Sequence, residues 1–196
     1  MSEKANIIHA TALELAGGGV LLMGGSGSGK STLALALCCA HGGKLVADDR
    51  VQLSTQKGKI CASLPPLDNM PDNIKGLCEV RGLGLVRLPY CACAKIRLAV
   101  KLVPRAKVPR LPTPAYYHYA DLRLPLLHLH GFDIGTPQLI MLALATLGRD
   151  GFSETDIYTP SKTDFDLLRP INMGKNIGKV LKRPIPKRPI SKGRVR

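Results

Sequence analysis

The sequence predicts an α/β protein, and three local observations support this fold class. A short apolar strand at residues 20–23 runs into a glycine-rich turn, and residues 31–40 then form a continuous helix-favouring segment. Residues 96–103 alternate apolar with basic or small side chains, a pattern typical of a strand with one buried and one wet face. Hydrophobic residues make up 45% of the 196 residues, so the chain can bury a sizeable core.

Strand and turn signals continue on both sides of this helix. Residues 7–15 predict two strands that lead through Gly17-Gly18-Gly19 into the strand at residues 20–23. Gly42-Gly43 predicts the C-cap of the helix. The segments that follow are predicted as a strand at 44–47, a β-hairpin with strands at 51–54 and 60–64 around a turn at 56–59, and a proline-broken loop at 65–71.

The second half of the chain predicts further strands and one more helix. Residues 78–86 begin like a strand that two glycines interrupt, which indicates a bulge or a close backbone approach. A strand at 124–129 precedes a helix at 138–147. That helix has Thr136 as its predicted N-cap, proline at its first position and Gly148 as its end.

Charge divides the chain into two predicted parts. The formal net charge is +14, and residues 169–196 hold ten Lys or Arg residues and no acidic residue. We therefore predict a folded domain at residues 1–150 and a basic, disordered extension at 151–196 that is rich in proline and lacks periodicity. The extension is either a nucleic-acid or acidic-partner anchor or a solvated tail. Without an aromatic residue for base stacking in residues 169–196, we do not expect sequence-specific RNA recognition.

The cysteine pattern and the apolar runs indicate the compartment. Six cysteines lack the paired C-x-x-C spacing of zinc sites, and we interpret them as reduced, mostly buried thiols. Residues 1–4 open no secretory signal, and no apolar run approaches the length of a membrane span. We expect a cytoplasmic protein without a membrane partner.

Residues 24–31 match the phosphate-binding pattern G-x-x-x-x-G-K-[ST], with the required strand before it and helix after it. A glycine-rich turn that caps an ordinary helix is the alternative. In a P-loop, main-chain N–H groups and the helix N-terminus hold the phosphates of a nucleotide. The predicted ATP-binding residues are Gly24, Gly25, Ser26, Gly27, Ser28, Gly29, Lys30, Ser31 and Thr32, with Lys30 on the outer phosphates and Ser31 on Mg²⁺.

Two carboxylates, Asp48 and Asp49, follow the strand at residues 44–47. A hydroxyl group that attacks a γ-phosphoryl group needs a carboxylate to take its proton, and Asp48 is our candidate because a strand end beside the P-loop is where such a group must lie. Asp49 either orients His9 or a metal-bound water, or is a solvated turn residue that pairs with Arg50.

Three motifs in order resemble the catalytic domain of bacterial HPr kinase/phosphorylase. They are the P-loop, Leu-Val-Ala-Asp-Asp-Arg-Val at residues 45–51 and Glu-Val-Arg-Gly-Leu-Gly at residues 79–84. The resemblance covers about residues 7–148 and is closest to a short form that lacks the family's N-terminal regulatory domain. It implies a fold similar to that of phosphoenolpyruvate carboxykinase, with a mixed sheet.

The resemblance implies an ATP- and Mg²⁺-dependent serine kinase of the phosphocarrier protein HPr, which regulates the phosphotransferase system and carbohydrate metabolism. By motif, His9 matches the family's upstream histidine, and Lys30 and Ser31 match its phosphate and Mg²⁺ residues. Asp48 matches the aspartate that serves as base in the kinase direction, and Glu79 matches the second metal ligand. A homo-oligomer is also implied.

Parts of the family pattern are missing. Arg110, in Val-Pro-Arg-Leu-Pro, occupies the place of a catalytic arginine, and the family's proline- and arginine-rich loop has no clear counterpart at residues 124–148. The phosphorylase direction therefore stays open. From the residues alone, His9 is either catalytic or a core histidine, and Glu79 is either a ligand or a partner of Arg81. An ATP-binding sensor module without turnover and a small-molecule P-loop kinase are the alternative functions.

Overall fold

The chain begins with one long strand rather than two. The structure, a computed structural model, describes residues 6–66, 74–152, 158 and 160–168. Strand β1 (Asn6–Leu15) pairs with one neighbour through residues 6–9 and with two others through residues 10–15. The predicted division into two strands was wrong because the hydrogen-bonding partner changes along β1 while the strand itself continues.

The described part of the chain contains ten strands, four α-helices and a short 3₁₀ helix at Arg105–Lys107. The strands after β1 are β2 (Gly18–Met23), β3 (Lys44–Ala47), β4 (Arg50–Gln56), β5 (Lys59–Ser63), β6 (Leu77–Val80), β7 (Gly84–Arg87), β8 (Cys93–Leu102), β9 (Tyr116–Tyr119) and β10 (Leu122–Leu129). The helices are α1 (Lys30–His41), α2 (Thr136–Ala145), α3 (Leu147–Asp150) and α4 (Lys162–Leu168).

Eight of these strands form one mixed sheet in the order β2-β1-β4-β5-β8-β10-β9, with β3 on β1. An additional pairing of β2 with β8 closes the strands β1, β4, β5, β8 and β2 into a ring. Both β2 and β10 run parallel to β8, whereas the other pairs are antiparallel. The α/β class with a mixed sheet was predicted correctly.

The parallel pairs determine where the loops meet. Parallel strands end at the same edge of a sheet, so the segments that follow β2, β8 and β10 leave from one edge. Strand β1 is antiparallel to β2, with Ala10 opposite Met23, so His9 lies at this edge too. Strand β3 ends with Ala47 opposite Ala12 and delivers Asp48 to the same region.

Two hydrophobic clusters hold the sheet and helices together. One contains Leu33 and Leu37 of α1, Val20 and Leu22 of β2, and residues of α2. The other contains Leu21, which projects from the opposite face of β2, and small residues of the ring such as Ala10, Ala12, Ala62 and Ala94. These small side chains occupy little space between the strands of the ring.

Helix α1 follows the P-loop and ends where the sequence predicts. Gly42 has φ 65°, and its N–H group donates a hydrogen bond to the carbonyl of Leu37. A residue in this left-handed conformation is the usual C-terminal stop, and glycine adopts it without strain. The following strand, β3, has the predicted bounds.

The two glycines at residues 82 and 84 form a hairpin turn, not a bulge within one strand. Strands β6 and β7 pair antiparallel; φ is 86° at Gly82, in the turn between them, and 94° at Gly84, the first residue of β7. Cys78 and Val80 pack into the cluster around α1, which fixes this hairpin beside the P-loop helix.

The predicted helix at residues 138–147 begins earlier and is divided. Helix α2 starts at Thr136, its N-cap is Gly135, and Gly148 lies inside α3 instead of ending α2. A Cβ atom at Gly148 would lie 3.0 Å from Leu144 Cδ1 and 3.5 Å from Arg97 Cβ. Gly148 therefore permits close packing of α3, which neither the N-cap rule nor the C-cap rule predicts.

Part of the predicted C-terminal extension is helical. Helix α4 lies in residues 151–196, and Leu168 packs against the first cluster. The basic segment, residues 169–196, lies outside the described residues, as do residues 67–71 of the predicted proline-broken loop. The domain boundary at residue 150 stays a prediction.

All six cysteines are free thiols. Among the helices that the structure describes, none is long and apolar enough to span a bilayer.

Buried His41 at the end of α1 predicts a pH dependence of stability. Its exposed fraction is 4%, neither ring nitrogen has a hydrogen-bond partner among the described residues, and burial lowers the pKa of its side chain from 6.5. The unfolded chain therefore binds the proton more readily, so the free energy of unfolding should fall as the pH drops below about 6.5 and should level off below the lowered pKa.

Chemical denaturation at a series of pH values from about 5 to about 8 measures this dependence. His41→Leu should remove part of the decline at low pH, because it removes the buried titrating group. His118→Leu, at an exposed position of β9, is the control and should keep the wild-type slope. Identical slopes for His41→Leu and the wild type would contradict the prediction.

Candidate functional site

The P-loop joins the end of β2 to the start of α1, as the motif predicts. Its backbone turns through Gly27 and Gly29, which have φ 76° and 96°, and α1 begins at Lys30. The N-terminus of a helix carries unpaired N–H groups and a partial positive charge, so this end of α1 favours an anion.

Lys30 is buried and its ammonium group has three acceptors. Nζ donates to the carbonyls of Gly24 at 2.8 Å and Gly25 at 3.1 Å, and it lies 3.1 Å from His9 Nε2. The Lys30 side chain therefore folds back over the P-loop, and its hydrogen bonds stabilise the conformation of the loop. The carbonyl groups of Gly24 and Gly25 therefore face Lys30.

The contact with Lys30 also assigns the tautomer of His9. An ammonium group can only donate, so His9 Nε2 accepts and the ring proton lies on Nδ1. Nδ1 lies 2.7 Å from Asp49 Oδ1 and 3.2 Å from the Asp49 carbonyl oxygen. Asp49 has φ 68°, an uncommon conformation for a residue other than glycine. Of the two sequence interpretations of Asp49, the structure supports the one in which it orients His9.

Three side chains donate hydrogen bonds to Asp48. Thr11 Oγ1 donates to Oδ1 at 2.6 Å, while Ser31 Oγ and Cys78 Sγ each donate to Oδ2 at 3.2 Å. These donors come from β1, α1 and β6, so the carboxylate connects three elements of the fold. Its orientation toward the P-loop is thereby fixed.

The thiol of Cys78 remains protonated at neutral pH. Burial, the charge of Asp48 and the hydrogen bond to Asp48 raise the pKa of Cys78 to about 12. Because the thiol keeps its proton, it serves as a donor to the carboxylate instead of a competing anion. No sequence pattern predicts this role, because the position of Cys78 is typical of an ordinary buried strand residue.

One cavity of about 310 Å³ gathers most of the predicted site residues. Its lining includes His9, Lys30, Ser31, Asp48 and Glu79 together with Ser26, Gly27, Gly29, Thr32, Asp49, Arg81 and Phe132. Gly24, Gly25 and Ser28 belong to the loop but do not line the cavity.

The β6–β7 hairpin contributes Glu79 and Arg81 to this cavity. Both are exposed, and no ion pair joins them, although each belongs to the part of the chain that the structure describes. The sequence alternative in which Glu79 pairs with Arg81 therefore has no support. The carboxylate of Glu79 is free to face a cation in the cavity.

Arg110 is not brought to the cavity. It is exposed in the segment between β8 and β9 and is absent from the cavity lining. Arg105, in the same segment, lies 3.5 Å from Asp133 in the loop after β10. A catalytic role for Arg110 stays a prediction from the resemblance.

Phe132 is a cavity residue that the sequence analysis missed. It follows β10, and its ring lies against the P-loop, where a Cβ atom at Gly29 would be 3.2 Å from its Cε1 and Cζ atoms. No local sequence pattern could have identified Phe132, because its place in the cavity depends on the parallel pairing of β10 with β8 at the P-loop edge.

The oxygen donors of the cavity fit a hard cation. Ser31, Asp48 and Glu79 present hydroxyl and carboxylate oxygens, the ligand type that Mg²⁺ prefers. Among the described residues, no group of three or more His, Cys, Asp or Glu side chains is close enough to hold a metal ion alone. Mg²⁺ is usually bound by one or two carboxylates and by phosphate oxygens.

Comparisons with known proteins point to one family. The HPr Serine kinase C-terminal domain family matches residues 1–104. The HPr kinase/phosphorylase of Bordetella pertussis is 48% identical over 80 residues, which make up 40% of this chain and 24% of that protein. The HPr kinase/phosphorylase of Lactobacillus acidophilus is 35% identical over 118 residues, which make up 55% of this chain and 35% of that protein.

A solved structure shows the same fold. The Hpr(Ser) kinase/phosphatase from Coxiella burnetii matches with a TM-score of 0.56 and 26% sequence identity, over 69% of this chain and 86% of that chain. This likeness confirms the predicted fold.

The family match and the fold lead to one assignment. The chain spans between 24% and 35% of the length of the two curated relatives named above. The family match covers more than half of the 196 residues and includes the P-loop, Asp48 and the hairpin with Glu79. The chain therefore belongs to the HPr serine kinase C-terminal domain family.

Proposed function

We propose that this chain is an ATP- and Mg²⁺-dependent serine kinase of HPr or an HPr-like carrier, and thereby a regulator of the phosphotransferase system. The observation that carries the proposal is the position of Asp48. Its carboxylate and the P-loop line the same cavity, and Ser31 of the P-loop donates a hydrogen bond to it. Family membership supports HPr as the acceptor.

The P-loop binds the phosphates of ATP through main-chain N–H groups, and the N-terminus of α1 adds its partial charge. Lys30 exchanges its contacts with the Gly24 and Gly25 carbonyls for phosphate oxygens. Ser31 and Glu79 hold Mg²⁺, which offsets the negative charge of the phosphates. His9, fixed by Asp49, adds a neutral ring beside Lys30.

Asp48 takes the proton in the transfer step. The acceptor's serine oxygen forms a bond to the γ-phosphorus, the bond from that phosphorus to the bridging oxygen breaks, and ADP leaves with the electron pair. The proton of the serine hydroxyl moves to Asp48, whose oxygens are held in place by Thr11 and Cys78. Lys30 stays beside the phosphates as the charge redistributes.

The proposal covers the kinase direction. The loop between β10 and α2, residues 130–135, contains no arginine, so it does not offer the cationic side chains that the resemblance associates with dephosphorylation. A homo-oligomeric assembly and a cytoplasmic location are proposed from family membership.

Asp48→Asn tests the proton acceptor. The amide keeps the shape of the side chain but cannot take the serine proton, so transfer of label from ATP to purified HPr should fall by at least about 100-fold. ATP binding, measured separately by calorimetry, should remain. Asp121→Asn, in the exposed turn between β9 and β10, is the matched control and should keep wild-type transfer.

Three outcomes would each contradict part of this proposal. Undiminished transfer in Asp48→Asn would remove Asp48 from the mechanism. Binding of ATP by the wild type without transfer to HPr would favour a sensor module, and transfer only to a small molecule would favour a metabolite kinase.

Glu79→Gln tests the metal site. Loss of one carboxylate should raise the Mg²⁺ concentration that gives half-maximal transfer, by about 10-fold or more, with a smaller change at saturating Mg²⁺. A Mg²⁺ titration of initial transfer rates measures this shift. Glu14→Gln is the control, because Glu14 lies away from this cavity. An unchanged Mg²⁺ requirement would exclude Glu79 as a ligand.

Removal of residues 169–196 tests the basic segment. We expect transfer to HPr to stay within about twofold of the full chain at moderate salt, because the predicted catalytic residues all precede this segment. Initial rates of both forms at low and moderate salt provide the measurement. A large loss at both salt concentrations would show that the segment takes part in the reaction.

A further inference from the structure

We propose that Phe132 is the surface on which the nucleotide base stacks, which makes it a binding residue outside the P-loop motif. The inference rests on the proposed function, because it assumes that the cavity receives a nucleotide. It concerns the base, whereas the proposed function concerns the phosphates and the transferred group.

The first observation is the exposure of the ring. Phe132 is 58% exposed, although a phenylalanine gains most free energy from burial, and its Cε1 and Cζ atoms face the Gly29 position. The other residues that line the cavity are glycines or polar and charged residues. Phe132 therefore provides the apolar, planar surface of a cavity that otherwise suits phosphates and a cation.

The second observation is the rigidity of the loop that carries the ring. Thr136 Oγ1 donates to the carbonyl of His130 at 2.7 Å, and Thr136 N–H donates to the carbonyl of Asp133 at 3.0 Å. His130 Nδ1 lies 3.1 Å from Asp133 Oδ1, so this short loop is closed at both ends. The His130 ring also packs edge-on against Phe132, with 5.7 Å between the ring centroids.

The loop also presses directly on the P-loop. A Cβ atom at Gly131 would lie 2.2 Å from the carbonyl oxygen of Ser28, a distance that no side chain tolerates. Glycine at residues 29 and 131 therefore lets two loops from different strands touch, with Phe132 at their junction. The Phe132 ring is therefore exposed and held in position at the cavity, where it can stack against a planar group.

The base is the part of a nucleotide that matches such a surface. The phosphates are satisfied by main-chain N–H groups and Lys30, whereas the base offers a planar π-face and needs no charged partner. Stacking of a base on an aromatic side chain contributes about 1–3 kcal/mol, which corresponds to a change in Kd between about 5-fold and about 150-fold.

Two ligands separate the base from the phosphates. Binding of Mg²⁺-ADP and of inorganic tripolyphosphate is measured by calorimetry, without any acceptor protein. Phe132→Ala should raise the Kd for ADP between about 5-fold and about 150-fold and should leave the Kd for tripolyphosphate unchanged. Phe132→Tyr, which keeps the ring, should restore ADP binding. Ile134→Ala is the matched control, since Ile134 is 98% exposed in the same loop and does not line the cavity.

A second measurement uses the absence of tryptophan from the chain. Phe132→Trp places the single tryptophan at the proposed surface, and its fluorescence should change with ADP but not with tripolyphosphate. Ile134→Trp should show no response to either ligand.

The outcomes are distinguishable from failure of the kinase proposal. Equal ADP affinity in the wild type and Phe132→Ala would overturn the stacking role and leave the kinase proposal intact. If Phe132→Ala lost affinity for both ADP and tripolyphosphate, the stacking role would also be overturned, because Phe132 would then act only through the shape of the P-loop. A wild-type protein that binds neither ligand would overturn both proposals.

Discussion

The parallel pairing of β2 with β8 is the contact on which the rest of the structure depends. It closes five strands into a ring, and together with the parallel pairing of β10 it sends three loops out of one edge of the sheet. None of these loops forms the site alone. The loops after β2 and β10 bring the P-loop and the Phe132 ring next to the carboxylate of Asp48, which follows β3. Long-range strand pairing of this kind is set by the whole sequence, not by any local motif.

The local part of the fold was predictable from the sequence. Strand β3, the hairpin of β4 and β5, and the end of α1 at Gly42 follow from period-two patterns and from turn chemistry that act over a few residues. The errors lie where packing outweighs the local rule. Gly148 looks like a helix stop but serves the approach of α3 to Leu144, and β1 continues where its neighbours change.

The site residues also divide into those that sequence motifs predict and those that only the fold explains. Lys30, Ser31, Asp48 and Glu79 lie in sequence motifs, and the structure gathers all four around one cavity. Phe132 and the thiol of Cys78 lie in no motif, because their roles arise from contacts between elements far apart in the chain. Arg110 illustrates the converse: its position in the sequence resembles that of a family residue, but its segment does not reach the cavity.

The internal contacts of Lys30 have a consequence for what the loop can recognise. An incoming anion must compete with two carbonyl oxygens and an imidazole nitrogen for one ammonium group. A small, singly charged ion replaces these partners at little net gain, because the exchange trades one set of hydrogen bonds for another. A chain of several phosphates gains from the loop amides and the helix terminus at once, so the internal contacts of Lys30 favour a polyphosphate over a small, singly charged anion.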